Sequence, residues 1–200
     1  MQQIHVTLAS TSAFIMDKMV VNGTALGPEK GANTRRKEMD LPRQQACPKV
    51  YLSQDGHLMI PGTNLWSCLV SAGKFQKIGR SKLTTRDGSI LPGILELEEE
   101  EVELRDPDTG AILDDDAWEV DSRPITNQVT KGKTIAHRPR IDNWKADVTL
   151  WYDPDEMSEG MVRQLVDDAG RRIGIGVMRR EKKYLYGGFK VVLWEKGQDD

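Results

Sequence analysis

Stretches in which polar and apolar residues alternate, separated by two stretches of helical periodicity, constrain the fold of this 200-residue chain most strongly. Alternation predicts a first strand and a later strand, built on Ile4, Val6 and Leu8 and on Ala146, Val148, Leu150 and Tyr152. Residues 90–104 predict further strand, broken by a run of glutamates, and residues 189–194 predict the last strand. The chain therefore contains strands at both ends and in its middle.

Two helices are predicted between these strands. Thr63 is a suitable N-cap, and apolar residues recur at helical spacing behind it until the pattern fades between Gly73 and Gly79. The second helix is predicted to begin over 153–156, where an aspartate cap, a proline and a capping-box glutamate coincide. Gly170 is predicted to end this second helix.

The order strand, helix, strands, helix, strand predicts an α+β fold, a ferredoxin-like or RRM-like antiparallel sheet with two helices on one face. Such a sheet leaves its other face free to meet a ligand. We expect a single domain over 1–200, with insertions at about 22–49 and 105–145. Residues 22–49 predict a long exposed loop, residues 122–145 show little regular pattern, and Asp55-Gly56 predicts a tight hairpin turn.

Cysteine spacing and hydropathy exclude several classes of protein. Cys47 and Cys68 stand apart, without the spacing of a zinc site or a disulfide framework, and we expect neither metal nor cofactor. No apolar run approaches the roughly 18 residues that cross a bilayer, and the N-terminus lacks the pattern of a signal peptide. These features predict a cytoplasmic protein that does not enter the membrane.

Charge is distributed unevenly along the chain. Residues 96–121 hold thirteen acids and one base, whereas the remaining 174 residues hold 18 acids and 27 bases. The net charge of −3 therefore hides a basic body with one acidic block. A basic body is typical of a phosphate-binding protein, provided that the acidic block faces away from the phosphates.

The stretch 170–189 is the strongest candidate for a phosphate-binding segment. It holds five glycines, six bases and one acid between the second helix and the last strand. Glycines allow close approach of the backbone, and N–H groups beside Arg and Lys form an anion site. Tyr184, Tyr186 and Phe189 could stack on unpaired bases. The start of the first helix, at Thr63 and Asn64, offers a second phosphate-suited geometry.

Three motifs, in this order, resemble the RAMP superfamily of CRISPR-associated proteins, and in particular its RNA-binding backbone subunits. They are the helix start Ile60-Pro61-Gly62-Thr63-Asn64-Leu65, the stretch from His137-Arg138-Pro139-Arg140-Ile141-Asp142 to Tyr152, and the glycine-rich loop before the last strand. The resemblance implies a modified RRM core, a thumb-like hairpin and several copies stacked along RNA. One departure is Trp66, where members of the superfamily usually carry lysine.

The resemblance and the charge together predict binding of single-stranded guide RNA in a CRISPR-type antiviral complex, with further copies of the chain and other effector subunits as partners. The expected RNA-binding residues are Arg35, Arg36, Lys37, Thr63, Asn64, Lys131, Lys133, Arg138, Arg140, Arg171, Arg172, Gly174, Gly176, Arg179, Arg180, Lys182 and Lys183.

Two other functions remain open. One is a metal-independent endoribonuclease that uses His57 or His137 as a general base. The other is an assembly protein that binds nucleic acid outside any CRISPR system. The residues favour a binding protein over an enzyme and predict no catalytic group.

Overall fold

The computed structural model describes residues 1–19, 41–126 and 131–197. Eleven strands and three helices follow one another in these residues. They are β1 (Gln2–Ser10), β2 (Phe14–Ile15), α1 (Pro42–Ala46), β3 (Met59–Pro61), α2 (Gly62–Ala72), β4 (Lys77–Ile78), β5 (Ser81–Lys82), β6 (Leu95–Leu97), β7 (Glu101–Glu103), β8 (Glu119–Thr126), β9 (Lys133–Ile141), β10 (Lys145–Tyr152), α3 (Glu159–Asp168) and β11 (Phe189–Lys196).

The main sheet has four strands in the order β11-β1-β10-β6, and every neighbouring pair is antiparallel. Helix α2 lies between β1 and β6 in the sequence, and helix α3 lies between β10 and β11. This order and these connections are compatible with a ferredoxin-like arrangement, which confirms the α+β class. The alternation at the two central strands is confirmed as well, because Ile4 pairs with Leu150 and Val6 with Val148 in register.

One hydrophobic core joins the two longer helices to one face of this sheet. Apolar side chains of the sheet and of both helices are buried together, among them Ile4, Val6, Leu8, Leu65, Leu69, Val148, Leu150, Val162, Leu165 and Val166. Burying an aliphatic side chain of this size stabilises the folded state by roughly 2 kcal/mol. Because both helices pack on the same face, the opposite face of the sheet is left outside this core.

The segments expected to be irregular contain regular structure. Strands β8 and β9 pair from Glu119–Arg140 to Thr126–Lys133, and β2 adds to the other edge of β9. The interpretation of residues 122–145 as irregular is therefore wrong for 122–126 and 133–141, because Pro124 and Pro139 lie within the paired strands and do not interrupt their register; residues 127–130 lie outside the described residues. The predicted loop 22–49 is wrong over its last part, because Pro42–Ala46 form helix α1 and Cys47–Lys49 a 3₁₀ turn. The part from 22 to 40 lies outside the described residues.

Several helix and strand boundaries differ from those predicted from the sequence. Thr63 lies inside α2, whose N-cap position is Pro61 and has no side-chain cap. Helix α3 begins at Glu159 after Ser158, not over 153–156, and continues beyond Gly170 as a π-helical turn over Ala169–Ile173. The predicted strand over 90–104 is two short strands, β6 and β7, which belong to different sheets. Among the described residues, no helix is long and apolar enough to span a bilayer.

Candidate nucleic-acid interface

The glycine-rich segment 170–189 folds back against the N-terminal strands. Gly174, Gly176 and Gly187 have φ of +76°, +81° and +72°. A Cβ on Gly187 would lie 1.9 Å from the carbonyl oxygen of Ile175, and a Cβ on Gly176 would lie 2.5 Å from that of Ile15. The close approach that these glycines allow is therefore to the chain itself, which fixes the shape of the segment.

Helix α2 and the glycine-rich segment enclose a cleft of about 300 Å³. Asn64 and Ser67 line it from the helix, and the residues Gly174, Ile175, Gly176, Val177, Arg179 and Lys182 line it from the segment. Five residues predicted from two distant parts of the sequence are thereby brought together. Amide, hydroxyl and ammonium groups at one cleft form a set of donors suited to phosphate oxygens.

The two cations of the cleft differ in their partners. Arg179 Nε lies 3.1 Å from Glu181 Oε2, and Lys74 Nζ lies 3.4 Å from the other oxygen of the same carboxylate. Burial raises the pKa of Glu181, but hydrogen bonds from Arg179 and Lys74 lower it more, so that the net pKa lies below its usual value. Lys182 is exposed, and within the described part of the chain its ammonium forms no ion pair.

Asp17 is the acid of this cleft, and it is neutralised by two cations. Arg138 Nε lies 3.0 Å from its carboxylate and Lys49 Nζ lies 3.8 Å away. The Arg138 side chain is only 11% exposed. Arg138, predicted as an RNA contact, is therefore an internal partner of Asp17 in this structure.

Arg140 belongs to a cluster that joins the β8–β9 hairpin to the glycine-rich segment. Its guanidinium contacts the carboxylate of Asp142 at 2.6 Å and lies 3.9 Å from that of Asp121. Arg123 bonds to the buried Asp121 at 2.8 Å, donates to the Tyr186 hydroxyl and lies 4.3 Å above the Tyr186 ring. Sequence analysis missed Arg123 and Asp121, whose link to residue 186 requires the fold to be known.

The three aromatic side chains expected to stack on bases differ in their exposure to solvent. Phe189 is 3% exposed and packs against Trp144 in the core. Tyr186 is half-buried, and Arg123 covers one face of its ring. Tyr184 is 47% exposed. The stacking interpretation is thus wrong for Phe189, whereas Tyr184 retains an accessible ring.

Three other predicted arginines surround the π-helical turn. Arg172 Nε lies 2.8 Å from the buried carboxylate of Asp168, and Arg171 lies 3.9 Å from it with its side chain 70% exposed. Arg180 donates to the carbonyl oxygens of Gly170 and Arg171. Arg180 therefore closes the turn by hydrogen bonding to carbonyl groups that a π-helical turn leaves exposed, and Arg171 remains the most accessible of the three.

Thr63 faces a different groove from Asn64. This acidic groove, of about 640 Å³, has a partly apolar lining that includes Trp66 and Leu95, and its acidic residues are Glu96, Glu99, Glu100 and Glu101. The Gly62 N–H donates to the carbonyl oxygen of Glu100 at 2.7 Å, so the acidic block covers the first N–H of α2. Carboxylates at this position oppose the binding of phosphate at Thr63.

The outer face of the main sheet is also acidic. Asp147 accepts from Thr7 at 2.6 Å and lies 3.3 Å from Arg105, and Glu98 accepts from the indole of Trp151 at 2.7 Å. An RNA strand would meet these carboxylates if it crossed the sheet as it crosses an RRM.

The remaining predicted cations are either exposed or outside the described residues. Lys131 and Lys133 are exposed at and just before the start of β9, and Lys183 is exposed with φ of +68°. Arg35, Arg36 and Lys37 lie outside the described residues.

The two histidines considered as general bases have different surroundings. His57 Nδ1 lies 2.9 Å from Glu103 Oε1, and this hydrogen bond, with the nearby charges of Asp55 and Asp114, raises the pKa of His57. His137 Nδ1 lies 2.7 Å from the Ser122 hydroxyl. Burial raises the pKa of Cys68 to about 12, so its thiol is unreactive. Among the described residues, no group of three potential ligands could hold a metal ion.

A basic stretch that sequence analysis missed lies next to the cleft. Between residues 74 and 86 there are five bases and no acid, namely Lys74, Lys77, Arg80, Lys82 and Arg86. The uninterrupted charge was visible in the sequence. Its place beside the glycine-rich segment was not, because the contact between Lys74 and Glu181 joins residues 107 positions apart.

Comparison with known proteins gives one kind of match. No protein-family model and no curated protein matches the chain. Among solved structures, 45 chains match, and one of them belongs to the cryo-EM structure of the Type III-B Cmr-beta bound to cognate target RNA. That match has a TM-score of 0.52 at 10% sequence identity, and it covers 98% of this chain and 60% of the other. This level of similarity shows a shared fold. This chain spans about three fifths of the length of that solved chain.

Proposed function

We propose that this chain binds single-stranded guide RNA as a RAMP-like, backbone-type subunit that lines up in several copies in a CRISPR-type antiviral complex. The observation that carries the proposal is the cleft in which Asn64 and Ser67 of α2 meet Lys182 and the backbone of Gly174 and Gly176. The matching fold of a chain from a complex bound to target RNA supports it independently.

The chemistry of the cleft suits the RNA backbone. Asn64 and Ser67 can donate to phosphate or ribose oxygens, and Lys182 supplies a positive charge that the described residues do not neutralise. Contacts of this kind hold a strand in register but do not distinguish bases. The sequence of the target would then be recognised by base pairing to the guide.

Binding of labelled single-stranded RNA to three variants tests the proposal. Lys182→Gln and Asn64→Ala are expected to weaken binding for every RNA sequence alike, because both remove contacts to the backbone. Lys196→Gln is the matched control, since it removes one positive charge at the far end of β11, about 23 Å from Phe189 at the usual rise per residue. Equal affinities of Lys182→Gln and Lys196→Gln would overturn the assignment of the cleft.

A cleavage assay separates binding from catalysis. We expect the purified chain to leave labelled RNA intact over hours, with or without magnesium, because carboxylates surround His57 and would repel a phosphodiester. Cleavage that disappears in His57→Ala or His137→Ala, while both variants retain the wild-type circular dichroism spectrum, would instead establish an endoribonuclease.

A further inference from the structure

We infer that a second phosphate-binding groove lies beside the cleft, formed by the β4–β5 hairpin and the end of α2, and that the RNA backbone continues through it. The inference rests on the proposed function and extends its binding surface to residues that the sequence motifs do not include. This groove has a volume of about 430 Å³ and is lined by Ser71, Lys74, Lys82, Thr84, Thr85, Arg86 and Glu181.

The lining of the second groove has the composition of an anion site. Lys74, Lys82 and Arg86 supply three positive charges, and Ser71, Thr84 and Thr85 supply hydroxyl groups. Among the described residues that line this groove, Glu181 is the only acid, and its two oxygens are already bonded to Lys74 and Arg179. Cations with neighbouring hydroxyl groups are the side chains through which proteins hold phosphate oxygens.

The hairpin is fixed to the domain core, so its cations are held near one place. Leu83 is fully buried between the exposed Lys82 and the half-buried Thr84. The Thr84 N–H donates to the carbonyl oxygen of Gly73, and a Cβ on Gly73 would lie 2.5 Å from Thr84 Oγ1. Gly73 therefore permits the close packing that brings Lys82 and Arg86 to the end of α2.

Glu181 connects the second groove to the cleft. Its carboxylate lies between Arg179, which lines the cleft, and Lys74, which lines the second groove. Burial alone would raise the pKa of Glu181, but hydrogen bonds from these two partners lower it more, and the carboxylate orients both cations. The two surfaces are consequently adjacent and share one ion-pair network.

An aromatic ring with two cations lies at the same junction. Phe75 is 41% exposed, with Arg172 Cζ 4.6 Å and Lys74 Nζ 5.2 Å from its ring centroid. Arg172 therefore contacts the Phe75 ring as well as the carboxylate of Asp168. Single-stranded RNA carries a negative charge at every nucleotide and a base that can stack on an aromatic ring. It therefore suits a surface of cations and an exposed ring better than a protein segment does.

The test compares short and long oligouridylates, of about four and about sixteen nucleotides, the range of site sizes found for single-strand-binding domains. The double variant Lys82→Gln, Arg86→Gln removes two cations of the second groove. Arg163→Gln, Lys196→Gln is the control with the same change in net charge, in the region of Trp194. Affinity is measured by fluorescence anisotropy from low to moderate salt, with sedimentation to follow self-association.

We expect the Lys82, Arg86 variant to bind the long oligonucleotide with a log–log salt slope that is less negative by about 1.4, corresponding to two phosphates. Its affinity for the short oligonucleotide should equal that of the control. Identical long-oligonucleotide binding by the two double variants would overturn the inference while leaving the cleft intact. A change in self-association without a change in RNA binding would also overturn it, in favour of a protein partner. Failure of the wild-type chain to bind either oligonucleotide would overturn the proposed function itself.

Discussion

Gly187 lies where the glycine-rich segment passes closest to another part of its own backbone. We expect Gly187→Ala to lower the free energy of unfolding by more than the roughly 1–2 kcal/mol that a left-handed conformation costs an L residue, because its Cβ would also meet the Ile175 carbonyl. Urea denaturation followed by circular dichroism measures the loss. The measured loss would show how much the close packing at Gly187 contributes to the stability of the fold.

Gly110 provides the control for this substitution. Its φ is +75°, but no atom lies within 4 Å of the position of a Cβ. Gly110→Ala should therefore show the conformational cost alone. A loss of stability at Gly187 no larger than that at Gly110 would mean that the segment relaxes without resistance.

His57 gives a pH-dependent prediction at the same scale. Its folded-state pKa is raised by the hydrogen bond with Glu103, so the contribution of this pair to stability is full below the unfolded-state pKa of about 6.5 and is lost as the pH rises through the folded-state value. The difference in stability between wild type and His57→Gln should accordingly be larger at about pH 5.5 than at about pH 8.5. Denaturation at the two pH values measures it, and a difference independent of pH would contradict the pairing.

Among the elements, alternation and helical periodicity predicted the central strands and both longer helices, but local capping signals misplaced the helix starts. Asp153 caps a turn instead of α3, because its carboxylate accepts from the Asp155 N–H and its carbonyl oxygen accepts from the Met157 N–H. The helix then begins after Ser158. This turn leaves the Met157 side chain buried in the core, and local capping signals do not reveal such tertiary packing.

The pairing of β8 with β9 was not predicted, since the alternation of their residues is interrupted by prolines and the family resemblance implied a thumb-like hairpin without giving it a position. The attachment of the β8–β9 hairpin to the glycine-rich segment depends on Tyr186, which lies under Arg123. We expect Tyr186→Ala to accelerate amide hydrogen exchange in β8 and β9 while exchange in β1 and β10 is unchanged, because those two strands are held by the main core. Exchange followed by mass spectrometry makes the comparison. Uniform acceleration in all four strands would show that Tyr186 serves global stability instead.

At the scale of the whole molecule, the division of charge in the sequence corresponds to a division of surfaces. Asn64 and Thr63 are neighbours in α2, yet Asn64 lines the cleft with Lys182 and Thr63 lines the groove with Glu99 and Glu100. The sequence predicted the basic glycine-rich segment and the helix start separately. The sequence could not predict that successive residues of one helix face opposite charges, because that depends on how the glycine-rich segment and the run of glutamates pack against α2.

The acidic block is expected to act on assembly or to repel RNA at long range. Replacing Glu98, Glu100 and Glu101 with glutamine should raise the RNA affinity of the monomer slightly or weaken the association of copies, since the carboxylates lie away from the cleft. Light scattering during RNA titration, with and without magnesium, measures both. A large loss of monomer affinity would contradict this placement and indicate that the block holds a metal at the RNA site.

The salt dependence of single-stranded RNA binding tests the central claim most directly. If the cleft beside α2 holds the phosphate backbone, the log–log slope should be clearly negative, and Lys182→Gln should make it less negative by about 0.7, whereas the control Lys196→Gln should not. A flat salt response, or no retention of RNA at low salt, would contradict the claim that this chain binds RNA through its phosphates.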